Sequence, residues 1–133
     1  MKLALLSFLS MSMVFALLGC QSDRKKPADA KQDLSVSGEK WKRSDPNKET
    51  KGAPLNVLSF AIKNSSGTHA YQRIEVKVDY RSKDGKSLGS ESLTVPKIVQ
   101  PGAIILVGNI QGGLANPLTE KAVISVVRAD EAK

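Results

Sequence analysis

The side chains that could do acid–base or metal chemistry are few in this chain of 133 residues, and they are scattered. The only histidine, His69, follows a Gly67-Thr68 turn, and no carboxylate flanks it in sequence. A metal site needs three or four converging ligands, and a catalytic base needs a positioned partner. We therefore interpret His69 as an ordinary exposed loop histidine, and we expect no metal and no cofactor.

Two carboxylates, Glu75 and Asp79, share one face of a predicted strand, where Arg73, Lys77 and Arg81 alternate with them. Paired catalytic carboxylates need a pocket that separates their pKa values. A ladder of alternating charges is instead typical of a solvated sheet face. We find no catalytic residues and predict that the protein is not an enzyme.

The glycines at 108, 112 and 113 lack the Lys-Ser or Lys-Thr that closes a phosphate-binding loop. The segment from Gly108 to Gly113 is predicted to be a tight loop. Ile110 near its tip is a candidate for an apolar contact with a partner.

The single cysteine offers clearer chemistry. Met1-Lys2 precedes an apolar run, Leu3 to Leu18, which ends at Gly19-Cys20. This is the layout of a secretory signal. The segment Leu17-Leu18-Gly19-Cys20 resembles the lipobox of bacterial lipoproteins, which implies cleavage of residues 1–19 and acylation of Cys20. An exported domain with one cysteine has no internal disulfide.

In the sorting scheme of such lipoproteins, an aspartate directly after the lipidated cysteine favours the inner membrane. Position 21 is Gln. The resemblance therefore implies lipid anchoring in the outer membrane, facing the periplasm, if the cell has two membranes.

The formal net charge is +7, from 20 basic and 13 acidic residues. The excess is spread evenly on either side of Pro54, without a dense basic stripe. An exported basic protein would meet anionic lipid, lipopolysaccharide or peptidoglycan rather than nucleic acid.

Residues 20–54 are predicted to be the lipidated cysteine and a disordered tether, since large apolar side chains are few there. A flexible chain of that length spans roughly 30–35 Å and at most ~110 Å. Within it, Trp41, Lys42 and Arg43 are a candidate surface contact with a membrane interface or a sugar; the alternative is a solvated linker with one stray aromatic.

Residues 55–133 are predicted to form five or six short strands separated by turns, and hence a small antiparallel β-sandwich or barrel. The polar strand from Leu88 to Val95 is predicted to lie at an edge, and Ala103 to Val107 to be buried on both faces. The predicted core comprises Phe60, Ile62, Ile74, Val76, Val78, Tyr80, Leu93, Ile104, Leu106, Ile124 and Val126.

The order of turns and strands resembles immunoglobulin-like modules of bacterial envelope proteins, the type named for an FxLYD motif. The resemblance rests on Phe60, Lys63-Asn64-Ser65-Ser66-Gly67, the alternating strand from Ile74 to Tyr80, Asp84-Gly85-Lys86 and Val99-Gln100-Pro101-Gly102. In place of Leu-Tyr-Asp this chain has Val78-Asp79-Tyr80. The resemblance implies an immunoglobulin-like β-sandwich without catalytic residues.

These observations favour a membrane-anchored envelope lipoprotein whose domain is a non-catalytic protein-interaction or structural module. Its expected partners are membrane lipid, through Cys20, and an unidentified envelope protein. The alternative is a binding module for an anionic envelope polymer, peptidoglycan or lipopolysaccharide, using Trp41 and the scattered cations.

Overall fold

The computed structural model describes residues 27–45 and 51–133. Cys20 and the predicted signal at 1–19 lie outside the described residues. The described part contains one short helix and six strands. They are α1 (Ala30–Asp33), β1 (Leu34–Arg43), β2 (Leu55–Asn64), β3 (Ala70–Arg81), β4 (Ser87–Val95), β5 (Ile104–Leu114) and β6 (Lys121–Ala132).

The strands form two antiparallel three-stranded sheets that pack face to face. Sheet A has the order β1-β2-β5, and sheet B has the order β4-β3-β6. The same neighbours occur in immunoglobulin domains, where strands A, B and E share one sheet and strands C′, C and F share the other. The predicted all-β sandwich is confirmed, and β4 lies at an edge as predicted.

The core lies between the inner faces of the two sheets, as the alternation in the sequence predicts. Seven predicted core residues are buried: Phe60, Ile62, Ile74, Val76, Val78, Tyr80 and Ile124. Leu93 and Val126 are partly buried against them. The prediction was wrong for Ile104 and Leu106, which are 62% and 74% exposed. They lie on the outer face of β5, so the segment from Ala103 to Val107 is buried on one face only.

The prediction of a disordered tether up to residue 54 was wrong for β1, which pairs with β2 from Leu34 to Arg43 on both sides of a bulge. Leu34 and Val36 face inward on even positions, but a bulge between Ser37 and Lys40 shifts the phase. Gly38 occupies the left-handed region there, with φ 64°. After the bulge Trp41 faces inward on an odd position, so the strand has no continuous alternation in sequence.

A similar bulge in β5 explains a second error. The predicted loop at 108–113 is strand, and its register against β2 shifts between Val107 and Ile110. Asn109 has φ 51° at that point. The shift turns Ile110 inward, where it packs partly buried against the core. Ile110 is therefore not an exposed contact at a loop tip.

Because the described fold begins at α1, limited proteolysis should protect more of the chain than a disordered tether up to residue 54 would allow. Trypsin should leave a resistant core that retains β1, and with it the fluorescence of Trp41, the only tryptophan. A urea-unfolded sample, cut throughout, is the control. A resistant fragment that begins near Pro54 and lacks tryptophan would contradict the pairing of β1.

Within residues 27–45 and 51–133, no helix has the length and apolar character needed to cross a membrane.

Candidate functional site

The two ends of the sandwich differ in what they expose. One end, where β1 begins and β2 ends, carries α1; we call it the proximal end, because the chain toward Cys20 leaves from it. At the other end β1, β3 and β5 finish and β2, β4 and β6 begin; we call it the distal end. Strands of ten to twelve residues separate the two ends by roughly 35 Å.

At the distal end, the loop at 115–120 is held in place by β1. The Arg43 guanidinium Nη2 donates to the carbonyl oxygens of Pro117 at 2.5 Å, Asn116 at 3.3 Å and Thr119 at 3.4 Å. The same guanidinium lies 5.2 Å from the Trp41 ring centroid, within cation–π distance. These contacts fix the loop against sheet A.

The Trp41 indole is also engaged on its edge. Its Nε1 donates to Asn56 Oδ1 at 2.7 Å, and Asn56 Nδ2 donates to the carbonyl of Gly113 at 3.2 Å. Asn56 is buried, so these bonds satisfy an amide that has little access to water. Trp41 is therefore part of the fold, and the stray-aromatic interpretation was wrong.

A carboxylate joins the two sheets at the distal end. Glu91 on β4 accepts hydrogen bonds from the Tyr80 hydroxyl and from the Gly113 amide on β5, the latter at 3.0 and 3.1 Å. A methyl group on Gly112 would overlap this carboxylate and come within 2.7 Å of the Tyr80 hydroxyl oxygen. Gly112 thus provides room for the contact between sheets, which the sequence-based loop interpretation did not suggest.

Between the 115–120 loop and the β3–β4 turn lies an open groove of about 370 Å³. Its apolar wall is formed by Leu88, Pro117 and Leu118. Charged residues surround it: Lys83, Asp84, Lys86 and Glu120. Leu118 is 66% exposed on the loop to which Arg43 donates its hydrogen bonds. An apolar centre with a polar rim is the usual anatomy of a protein-binding surface.

The proximal end is closed by Asn64, which is fully buried. Its Nδ2 donates to the carbonyls of His69 at 2.7 Å, Val99 at 3.2 Å and Gln100 at 3.3 Å, and its Oδ1 accepts from the Ser66 amide at 2.9 Å. One side chain therefore ties together the β2–β3 and β4–β5 connections.

His69 lies at the same end, and its predicted exposure was wrong. The side chain is 11% exposed, and Nδ1 lies 2.9 Å from Glu131 Oε1 on β6. The ring tilts against Tyr71, whose hydroxyl donates to Asp33 Oδ2 at 2.5 Å. Asp33 is in α1, so this bond fastens the helix to sheet B.

The two tyrosines are held in their neutral form. Burial, followed by the Asp33 carboxylate, raises the pKa of Tyr71 to about 12. Burial and Glu91 raise the pKa of Tyr80 well above its ordinary value. Each phenol donates a hydrogen bond to a carboxylate, and each of these bonds joins two elements of the fold.

Alkaline titration should reveal this directly, because the chain has only these two tyrosines. A raised folded pKa stabilises the fold fully below the unfolded pKa of about 10, and that stabilisation is lost as the pH rises toward about 12. We expect little phenolate absorbance in the native protein at pH ~10, where the urea-unfolded control is half ionised. Native half-ionisation near that pH would contradict the two contacts.

The charge ladder on β3 is a solvated sheet face, as predicted. Glu75 pairs with Arg128 on β6 at 2.6 Å, and Asp79 accepts from Arg81 at 2.9 Å. The Ser87 hydroxyl, and then Arg81, hold the pKa of Asp79 below its usual value. In the described part of the chain, no group of three or more His, Cys, Asp or Glu side chains could hold a metal ion.

The structure does not bring the predicted site residues together on one surface. At the distal end Trp41 faces the core and Arg43 binds the 115–120 loop, whereas Lys42 is exposed on the outer face of sheet A. Ile110 is in the same cross-strand row as Trp41, since both align with Leu58. Sequence reasoning missed Leu118, although an exposed leucine after Asn116-Pro117 is a recognisable loop signal.

No family model, curated protein or solved structure matches this chain.

Proposed function

We propose that this chain is a membrane-anchored envelope lipoprotein, acylated on Cys20, whose β-sandwich is a non-catalytic protein-interaction module. The observation that supports it best is the distal groove, in which Leu118 is exposed on a braced loop beside Leu88 and Pro117. Exposed apolar side chains on a rigid support, rimmed by charges, are typical of surfaces that bind another protein.

The chemistry of the distal end also supports a binding role. Glu91 and Tyr80 are committed to each other and to the contact between sheets, and Arg43 is committed to loop carbonyls. The Trp41 indole has its N–H bonded to Asn56 and the Arg43 guanidinium near its ring. Stacking on a sugar would compete with these contacts, so the geometry favours a protein partner over an envelope polymer.

Site-specific photocrosslinking in intact cells tests the interaction. A photoreactive amino acid at Leu118 should give one adduct of defined mass, identifiable by mass spectrometry. The matched control places the same residue at Ile98, which is 50% exposed but lies in the connection from β4 to β5. The proposal fails if Leu118 gives no adduct, or if both positions give the same ones.

The anchor is tested separately with Cys20→Ser. Because a thiol is the acyl acceptor, this variant should lose all labelling by a fatty-acid analogue and accumulate as uncleaved precursor or soluble protein. Ser22→Ala, near the same site, should label as the parent does. Labelling and membrane fractionation of Cys20→Ser like the parent would overturn the anchor.

A further inference from the structure

The two sheets carry very different charge. The strands of sheet A contain four basic residues and one acidic residue, whereas those of sheet B contain five of each. Lys40 and Lys42 flank the inward-facing Trp41, so both point outward, and Lys63 is exposed at the proximal end of β2. Even with the exposed Glu39 counted against these lysines, the outer face of sheet A is net positive, whereas basic and acidic side chains nearly balance on sheet B.

The same face of sheet A carries exposed apolar side chains. Ile104 and Leu106 project from its edge strand β5, and Ile104 aligns with Lys63 across the sheet. Lys97 lies along the open edge of β5, where its Nζ donates to the Leu106 carbonyl at 2.8 Å. A face that carries both lysines and two exposed aliphatic side chains matches an interface that is anionic at its surface and apolar just beneath.

The short distance in sequence between Cys20 and α1 limits how far the domain can lie from the membrane. Ala30, the first residue of α1, comes ten positions after Cys20, and α1 leads directly into sheet A. Ten residues reach at most roughly 35 Å. A domain about as long as that cannot move far from a bilayer that holds its acylated cysteine, so even a weak surface affinity would keep it docked.

We propose that the outer face of sheet A docks on the anionic phospholipid surface of the membrane that holds the protein. This rests on the proposed acylation of Cys20. Ile104 and Leu106 enter the headgroup region, while Lys40, Lys42, Lys63 and Lys97 lie against the phosphates. Sheet B then faces away from the membrane, and the distal groove opens at the side of the docked domain.

The test uses the full acylated chain in vesicles, with one added cysteine for an environment-sensitive fluorophore. Ser37→Cys lies in the same cross-strand row as Leu106 on sheet A, and Ser125→Cys is the matched exposed serine on sheet B. On phosphatidylglycerol-rich vesicles, the Ser37 label should shift to the blue and be quenched by headgroup-quencher lipids, and the Ser125 label should not. High salt or phosphatidylcholine vesicles should abolish the difference.

Two pairs of variants assign the contact. Lys63→Gln should reduce the equilibrium constant for docking of the domain on the vesicle about fivefold, while Lys77→Gln on sheet B should leave that constant unchanged. Leu106→Ser should weaken docking, and Val123→Ser, an exposed apolar position on sheet B, should not. Thermal unfolding of each variant shows whether the fold is intact.

The outcomes separate the two proposals. If the protein does not float with phosphatidylcholine vesicles, where only acyl chains hold it, the anchor is wrong and docking falls with it. If it floats but the Ser37 and Ser125 labels respond alike, docking is wrong and the anchor stands. A Ser37 response that appears in detergent and grows with protein concentration would show that a second copy covers this face, which also overturns membrane docking.

Discussion

Asn64→Ala should destabilise the domain by about 3–4 kcal/mol, measured as the free energy of unfolding in urea. The side chain is fully buried, and the variant removes its bonds to three carbonyls and one amide. The Val99 and Gln100 carbonyls keep their bonds from the Tyr71 and Ala103 amides, but the buried Ser66 amide loses its acceptor. A buried polar group left unsatisfied costs about 1–3 kcal/mol. A smaller side chain would also leave a cavity at the proximal end.

The matched control is Asn116→Ala. Asn116 is exposed, and its side chain accepts one bond, from the Leu118 amide at 2.8 Å. Water can replace that bond, so we expect a loss below about 1 kcal/mol. Equal effects of the two substitutions would mean that Asn64 does not hold the two connections together. The slope of the urea transition should be similar in both variants, because the same surface unfolds.

Gly112→Ala should destabilise the domain by about 2–3 kcal/mol. The new methyl group would displace the Glu91 carboxylate and contact the Tyr80 hydroxyl. Glu91 can move, but the Tyr80 hydroxyl and the Gly113 amide then lose their acceptor between the sheets. The phenol should consequently ionise at lower pH in the variant, because the Glu91 charge no longer lies beside it.

Gly108→Ala on the same strand is the control for this prediction. A methyl group there meets no atom within 4 Å, and the residue has no positive φ. Its unfolding free energy should stay within about 0.5 kcal/mol of the parent, or rise slightly, since alanine restricts the unfolded chain. If Gly108→Ala and Gly112→Ala cost the same, strand propensity rather than the Glu91 contact accounts for the effect.

The sequence by itself determined that the domain is all-β and which side of β3 faces inward, because Ile74, Val76 and Val78 alternate with charged residues along the strand. Period-two alternation is a local property, so it identifies which residues face inward without knowledge of the partner strands. The solvated ladder of Glu75 and Asp79 and the edge position of β4 follow from the same reasoning. The acylation of Cys20 is also a sequence prediction, and it lies outside the described residues.

Only the tertiary structure decided that β1 belongs to the fold. Its apolar residues change phase at the Gly38 bulge, and its stability comes from pairing with β2, so the segment looks polar and irregular in sequence. The charge excess is even along the chain but collects on sheet A, because strands that are neighbours in the sandwich are distant in sequence. For the same reason, the distal groove required the structure: Arg43 and the 115–120 loop meet across more than seventy positions.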